Sequence, residues 1–239
     1  MEKILAIILS ATITLLIAFN IYLLNLEDLE SVIIKRVIDG DTFELEDGRI
    51  IRLLNINSPE KSDKFSELSF NFLKQYENKT IEIEVTGKGI YGRDLARAYS
   101  GEYLNLYLIE QGYSHISHIE LSEKNKFFKT QQKAFEQEKG IWKKSEFYGC
   151  LNVEIYEVEE YIVIKNACQN MSLNLKDEST KSFKINLPAN SQKKIFSNKG
   201  EDTEDKIYLN SGNIWNNDID SIFIRDEKGY LVYYSSYGY

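Results

Sequence analysis

With 239 residues, 43% of them hydrophobic and 13% aromatic, the chain has the material for two modest domains with sizeable cores plus an appendage. Its formal net charge of -8 argues against a general coat for nucleic acid, which is usually basic. The acid excess lies in the two ends of the chain. Residues 31–146 are close to neutral, and a few clustered cations with a metal ion are enough for such a segment to hold a polyanion.

In chain order, residues 1–26 open with Met-Glu-Lys and continue as an apolar run about long enough to cross a bilayer as a helix. A cleaved secretory signal shares the short charged start and apolar core. The length of the run, and the lack of a clean small-x-small cleavage site after it, favour an uncleaved transmembrane anchor. Either reading places the domains outside the cytoplasm, membrane-anchored or secreted. Lys3, with no cation close behind the run, fits an inside amino terminus.

From Asp39 to Glu60 the chain reads DGDTFELEDGRIIRLLNINSPE. Val32 to Ile38 is rich in β-branched residues, Asp39-Gly40 bends, and Thr42 to Glu46 alternates. Asp47-Gly48 then signals a hairpin before Arg49 to Ile56. In the resulting three-strand meander, the bend after the first strand and the loop Asn57-Ser58-Pro59-Glu60 after the third reach the same end of the sheet. Asp41, Asn57, the Ser58 carbonyl and Glu60 form a hard oxygen set suited to Ca²⁺. Arg52 offers a planar fork to phosphate oxygens.

These motifs carry a resemblance. Asp39-Gly40-Asp41-Thr42, Arg52-Leu53 through Asn57-Ser58-Pro59-Glu60, and Tyr91-Gly92-Arg93 resemble, in order and spacing, the pattern of the staphylococcal (micrococcal) nuclease family. The resemblance covers about residues 31–146 and implies an OB-fold barrel that hydrolyses DNA or RNA with Ca²⁺ as cofactor. It implies catalytic roles for Arg52, Glu60 and Arg93, with Glu60 as general base. It implies metal ligation by Asp41, Asn57 and the Ser58 carbonyl. Asp39 is expected to stabilise the bend.

Two departures stand out. Asn57 falls where the family has an aspartate, so the metal site has one formal negative charge fewer and is expected to bind Ca²⁺ more weakly. His118 falls where the family has a cleft tyrosine. It and Tyr91 are the candidate substrate contacts, Tyr91 as a ring that stacks on a base or as an ordinary packing residue. His115-Ile-Ser-His118 also suggests zinc, but two imidazoles with only Glu120 nearby do not close a tetrahedral site.

Helical spacing of Phe65, Leu68, Phe72, Leu73 and Tyr76 predicts a helix over 62–78. Ile81 to Val85 and Leu95 to Tyr99 are predicted strands, with 86–92 a glycine-rich loop between them. Helices are predicted over 104–111, stopped by Gly112, and over 123–139, stopped by Gly140. Lysines crowd Lys124 to Lys144, as a solvated helix face or a weak attraction for nucleic acid.

Residues 149–239 contain seven predicted short strands, at 152–155, 161–165, 182–186, 194–197, 206–209, 221–224 and 231–234. That count suggests an immunoglobulin-like β-sandwich. Glu160 to Asn166, Ile214 to Asp218, and Asp226, Gly229 and Leu231-Val232 resemble the prokaryotic lamin tail domain. That resemblance implies a module binding a surface partner, without chemistry of its own. Cys150 and Cys168 either pair as a disulfide, in an oxidising exterior, or stay as buried thiols.

The expected fold is thus mainly β with α: a transmembrane helix, an OB-fold barrel with helices, then a sandwich. The expected function is a Ca²⁺-dependent endonuclease acting on DNA or RNA. The alternative is a non-catalytic nucleic-acid-binding OB-fold module tethered to the membrane.

Overall fold

The computed structural model describes residues 12–17, 29–178, 181–212, 214–215 and 218–238. Residues 12–17 are helical; the rest of 1–26, and with it the expected anchor, lies outside the described residues, as do Asn216 and Asn217. Among the described residues no helix is long and apolar enough to cross a membrane.

Strand β1 (Glu30–Asp39) buries Val32, Ile34 and Val37 and pairs antiparallel with β2 (Thr42–Leu45). Register shifts between Ile34 and Arg36 and between Val37 and Asp39 bend it, and the Val37 amide donates to Glu77 at 2.8 Å. β2 pairs antiparallel with β3 (Ile50–Leu53), and β3 runs parallel to β6 (Asp94–Tyr99). β6 pairs antiparallel with β5 (Thr80–Lys88), which returns to β1, so the five strands form a closed barrel, consistent with an OB-fold. Ile34, Phe43, Leu45, Ile51, Leu53, Ile83, Ala96 and Ala98 fill its interior.

The predicted loop over 86–92 is shorter than the glycines suggest. β5 continues to Lys88 because a bulge between Val85 and Gly87 absorbs the irregularity. The first helix, α1 (Ser66–Lys74), starts later than its periodicity predicts and lies against β1. Helices α2 (Leu104–Glu110) and α3 (Lys124–Glu136) stand close to their predicted bounds. Beside the barrel, β4 (Ile56–Asn57) pairs with β7 (His115–Ile116) in a short ribbon.

Among the described residues the second half holds eight strands. One sheet has the order β11 (Ser182–Leu187), β10 (Met171–Lys176), β14 (Asp220–Asp226), β15 (Leu231–Tyr237). The other has β13 (Lys206–Tyr208), β12 (Ser191–Phe196), β9 (Tyr161–Asn166), β8 (Leu151–Tyr156). Leucines and isoleucines from both sheets share one core with Trp215 of the connection between β13 and β14, which makes the pair a sandwich. β10 is the strand absent from the seven predicted, although Met171, Leu173 and Leu175 alternate with Ser172, Asn174 and Lys176.

The two domains meet on an apolar cluster of their own, in which Ala134, Ile141 and Trp142 pack against Phe223 and Leu231. The connecting chain at 143–145 hydrogen-bonds to Leu231 on both sides, Leu231 N to Lys143 O at 2.9 Å and Ser145 N to Leu231 O at 2.8 Å.

Cys150 and Cys168, 18 residues apart, are joined as a disulfide. A loop of that length is worth about 3 kcal/mol in the chain-entropy model. Reduction, or Cys150→Ala with Cys168→Ala, is therefore expected to lower the denaturant midpoint of the sandwich, followed by Trp215 fluorescence in a Trp142→Phe background. An unmoved midpoint would show that the crosslink does not restrain the unfolded chain.

Candidate functional site

The site begins at the bend between β1 and β2. Asp39 Oδ1 accepts from the Asp41 amide at 3.1 Å, so Asp39 shapes the bend and leaves Asp41 to face the barrel end. Gly40 is required there: a Cβ would lie 2.1 Å from Ser69 Oγ of α1. Helix α1 thus presses on the backbone that presents Asp41.

Register does the next step. Thr42 pairs with Arg52, and the Leu53 amide donates to the Asp41 carbonyl at 2.8 Å, so the β3 arginine reaches the bend across one strand. Arg52 Nη1 pairs with Asp41 Oδ2 at 2.7 Å, and Arg52 Nη2 donates to Asn57 Oδ1 at 2.9 Å. The Ser58 amide donates to the same Asp41 Oδ2 at 2.8 Å, and Thr42 Oγ1 to Asp41 Oδ1 at 3.0 Å. Asp41, Arg52, Asn57 and Ser58 therefore form one bonded cluster.

Arg93 enters from the neighbouring strand. Ile51 pairs with Asp94 and Arg52 with Leu95, so Arg93 sits immediately before β6 on the same outward parity as Arg52. Its Nε is buried and finds no hydrogen-bond acceptor among the described residues. Buried guanidinium nitrogens without an acceptor are uncommon, and a phosphate oxygen is a natural one. Tyr91, 91% exposed, holds its ring centroid 5.9 Å from the Arg93 guanidinium carbon.

Glu60 is half-buried in the loop two residues beyond Ser58. Its amide donates to Asp63 Oδ2 at 3.1 Å and its carbonyl accepts from the Asp63 amide at 2.7 Å, which closes a turn. His118 is exposed, with Nδ1 2.9 Å from Ser117 Oγ. His115 is buried beside Asn57, and burial pushes its imidazole down to about 3, so it is neutral.

As cation ligands, Asp41, Asn57, the Ser58 carbonyl and Glu60 have the oxygen chemistry of a hard-ion site. Among the described residues no group of three or more His, Cys, Asp or Glu side chains is placed to hold a metal, and the set includes only two carboxylates. Arg52 already occupies Asp41 Oδ2 and Asn57 Oδ1, so guanidinium and cation compete for the same atoms. Burial pushes the Asp41 carboxyl up to about 6, against the pull of Arg52 and with a further push from Asp39. A carboxylate held so unfavourably gains from a cation.

Two features were not foreseen from sequence. Arg97 gathers Glu84, Glu120 and Glu123, while Asn55 and Tyr103 also bond to Glu123, so β6 is tied to the start of α3. The cross-strand pair Glu84 and Arg97 is the only sequence trace of this group, since the other acids come from a distant segment. The second surprise is that the sandwich touches the site: Asn57 Nδ2 donates to the Glu178 carbonyl at 3.2 Å, and Ser117 Oγ to Glu178 Oε2 at 2.7 Å.

Residues 50–144 match the model of the family described as staphylococcal nuclease homologue. Asp41 precedes the matched stretch; Arg52, Asn57, Ser58, Glu60 and Arg93 fall within it. Two Escherichia coli proteins, one from O157:H7, each described as an uncharacterized endonuclease, are 30% identical over 113 residues. The match spans 45% of this chain and 73% of each relative.

The raised Asp41 value has a definite sign. Its contribution to stability is full below the unfolded value of 3.8 and is lost as pH rises through about 6. In chelated protein, Asp41→Asn is expected to gain stability relative to wild type on going from about pH 4 to about pH 7, read by denaturant unfolding at both. A pH-independent difference would mean that this carboxylate does not resist ionisation.

Proposed function

Because the chain belongs to the staphylococcal nuclease homologue family, with a nuclease domain at residues 50–144, we propose that it is a Ca²⁺-dependent endonuclease hydrolysing phosphodiester bonds of DNA or RNA. The observation that carries the reading is the bonded cluster of Asp41, Arg52, Asn57 and Ser58, with the buried Arg93 Nε, left without an acceptor among the described residues, immediately before the adjoining strand.

Hydrolysis adds negative charge to the phosphoryl oxygens as water attacks phosphorus, so preorganised cationic donors are the main requirement. Arg52, held by Asp41 and Asn57, presents its fork from β3, and Arg93 approaches from β6. Glu60 accepts the proton of the attacking water, and the leaving oxygen departs opposite the attack. Asp41, Asn57 and the Ser58 carbonyl would hold Ca²⁺, with Glu60 at its edge. When bound, the ion supplies charge neutralisation at a phosphoryl oxygen and orders water. Tyr91 and His118, both exposed, are the surfaces offered to the substrate's bases and sugars.

We also place both domains outside the cytoplasm, tethered through residues 1–26 or secreted after their removal. The Cys150–Cys168 disulfide supports an oxidising compartment. The eight-stranded sandwich supports a lamin tail-like module for a surface partner.

One observation favours a second reading, a barrel that binds nucleic acid without cutting it. Arg52 occupies two of the oxygens that a cation would need. A fluorescent oligonucleotide incubated with Ca²⁺ or chelator separates the two, since binding without Ca²⁺-dependent cleavage supports the second. Arg93→Ala and Glu60→Gln are each expected to lower kcat about 100-fold or more with melting temperature preserved. Near-normal turnover in both would remove this active site.

A further inference from the structure

The loop that carries Glu60 is fastened to the sandwich. At its start, the Asn57 amide group donates to the Glu178 carbonyl at 3.2 Å. In its middle, Asp63 Oδ2 accepts both from the Glu60 amide at 3.1 Å and from Lys176 Nζ at 2.6 Å. At its end, Lys64 Nζ lies 3.6 Å from the Tyr230 ring centroid, and Phe65 packs edge-on against that ring at 6.2 Å. Gly229, at φ +80, comes so close that a Cβ would lie 2.7 Å from Lys64 Cβ.

Packing holds this loop only at its end, where Lys64 and Phe65 meet Tyr230. A cavity of about 430 Å³ separates it from the sandwich, with Asn57, Ser58 and Pro59 on one wall and Phe223 and Arg225 on the other. Ahead of Lys64 the height of the loop is therefore set by its polar contacts. Of these, the Lys176 contact acts on Glu60 most directly, because one Asp63 oxygen is shared by the lysine and the Glu60 amide. Lys176 ends β10, which is hydrogen-bonded to β11 and β14 on its two sides, so the ammonium is delivered from a fixed strand. Its side chain is 18% exposed and that of Asp63 31%, so water screens the pair only in part.

We infer that Lys176 of the sandwich is a positioning residue for the nuclease site, holding the Glu60 turn through Asp63. This rests on the proposed nuclease reading and adds to it that the catalytic centre is completed by the second domain. A general base must come within hydrogen-bond reach of its water, and a misplacement of about 1 Å can cost on the order of 100-fold in rate. A free Glu60 turn would sample such displacements.

The test uses the full chain with Ca²⁺ and a labelled oligonucleotide, comparing Lys176→Met and Lys176→Arg in wild-type and Glu60→Gln backgrounds. Lys176→Met is expected to lower kcat about 10-fold with KM changed less than about twofold, and Lys176→Arg to restore most of it. In the Glu60→Gln background Lys176→Met should have no further effect, because the group it positions is gone. An unchanged kcat, or the same loss in both backgrounds, would overturn the inference. Amide exchange over residues 57–65 gives a second readout that needs no turnover: Lys176→Met should speed it about 10-fold, and unaltered exchange would overturn the inference by itself. Wild-type protein that cleaves nothing would defeat the nuclease reading, while the exchange result would still decide whether Lys176 holds the loop.

Discussion

The Arg52 guanidinium joins the segments that make the site. One nitrogen pairs with Asp41 from the β1–β2 bend, another with Asn57 from β4, and the Ser58 amide closes onto the same carboxylate oxygen. A planar fork with fixed angles does this where a lysine ammonium would serve one partner at a time. The arrangement is held at a cost. Asp41 is almost wholly removed from water, and burial outweighs the arginine enough to raise its carboxyl to about 6. Buried pairs often return little net stability for this reason, so the cluster reads as an expense borne for chemistry.

Barrel closure turns that local cluster into a two-sided site. β3 lies between the antiparallel β2 and the parallel β6, so residues from both neighbours share its outward face. Asp41 comes from one side and Arg93 from the other. The parallel pairing puts Arg93, immediately before β6, level with the start of β3, two residues before Arg52 and on the same outward parity. The same closure packs α1 against β1, where only a glycine at position 40 lets Ser69 approach the bend. The placement of Asp41 therefore depends on a helix more than twenty residues later in the chain.

Local chemistry explains which parts were legible in the sequence. The Asp39-Gly40 bend, the Asp47-Gly48 hairpin, the β-branched run of β1, the alternation over β2 and the Gly112 stop after α2 are short-range signals, and they stand where they were read. The start of α1 was misplaced because Asp63 bonds back to Glu60 and holds a turn over residues that also fit a helical period. The end of β5 was cut short because Gly87 looks like a loop residue, yet a bulge accommodates it. What was not legible depends on contacts between distant segments: the three glutamates around Arg97, and the hold of the sandwich on the loop after β4. No spacing rule brings residue 178 to residue 57.

That last contact changes the meaning of Asn57. Read from the chain alone, an amide in place of the resembling family's aspartate is a loss, one negative charge fewer for a cation. In the folded protein its oxygen accepts from Arg52 while its nitrogen donates to the Glu178 carbonyl. A carboxylate has no hydrogen to offer that carbonyl, and two oxygens facing each other at 3.2 Å would repel. An amide is therefore the side chain that satisfies Arg52 and a neighbouring domain together. The asparagine and the packed sandwich belong to one arrangement, in which a negative charge beside Asp41 is exchanged for a fixed loop.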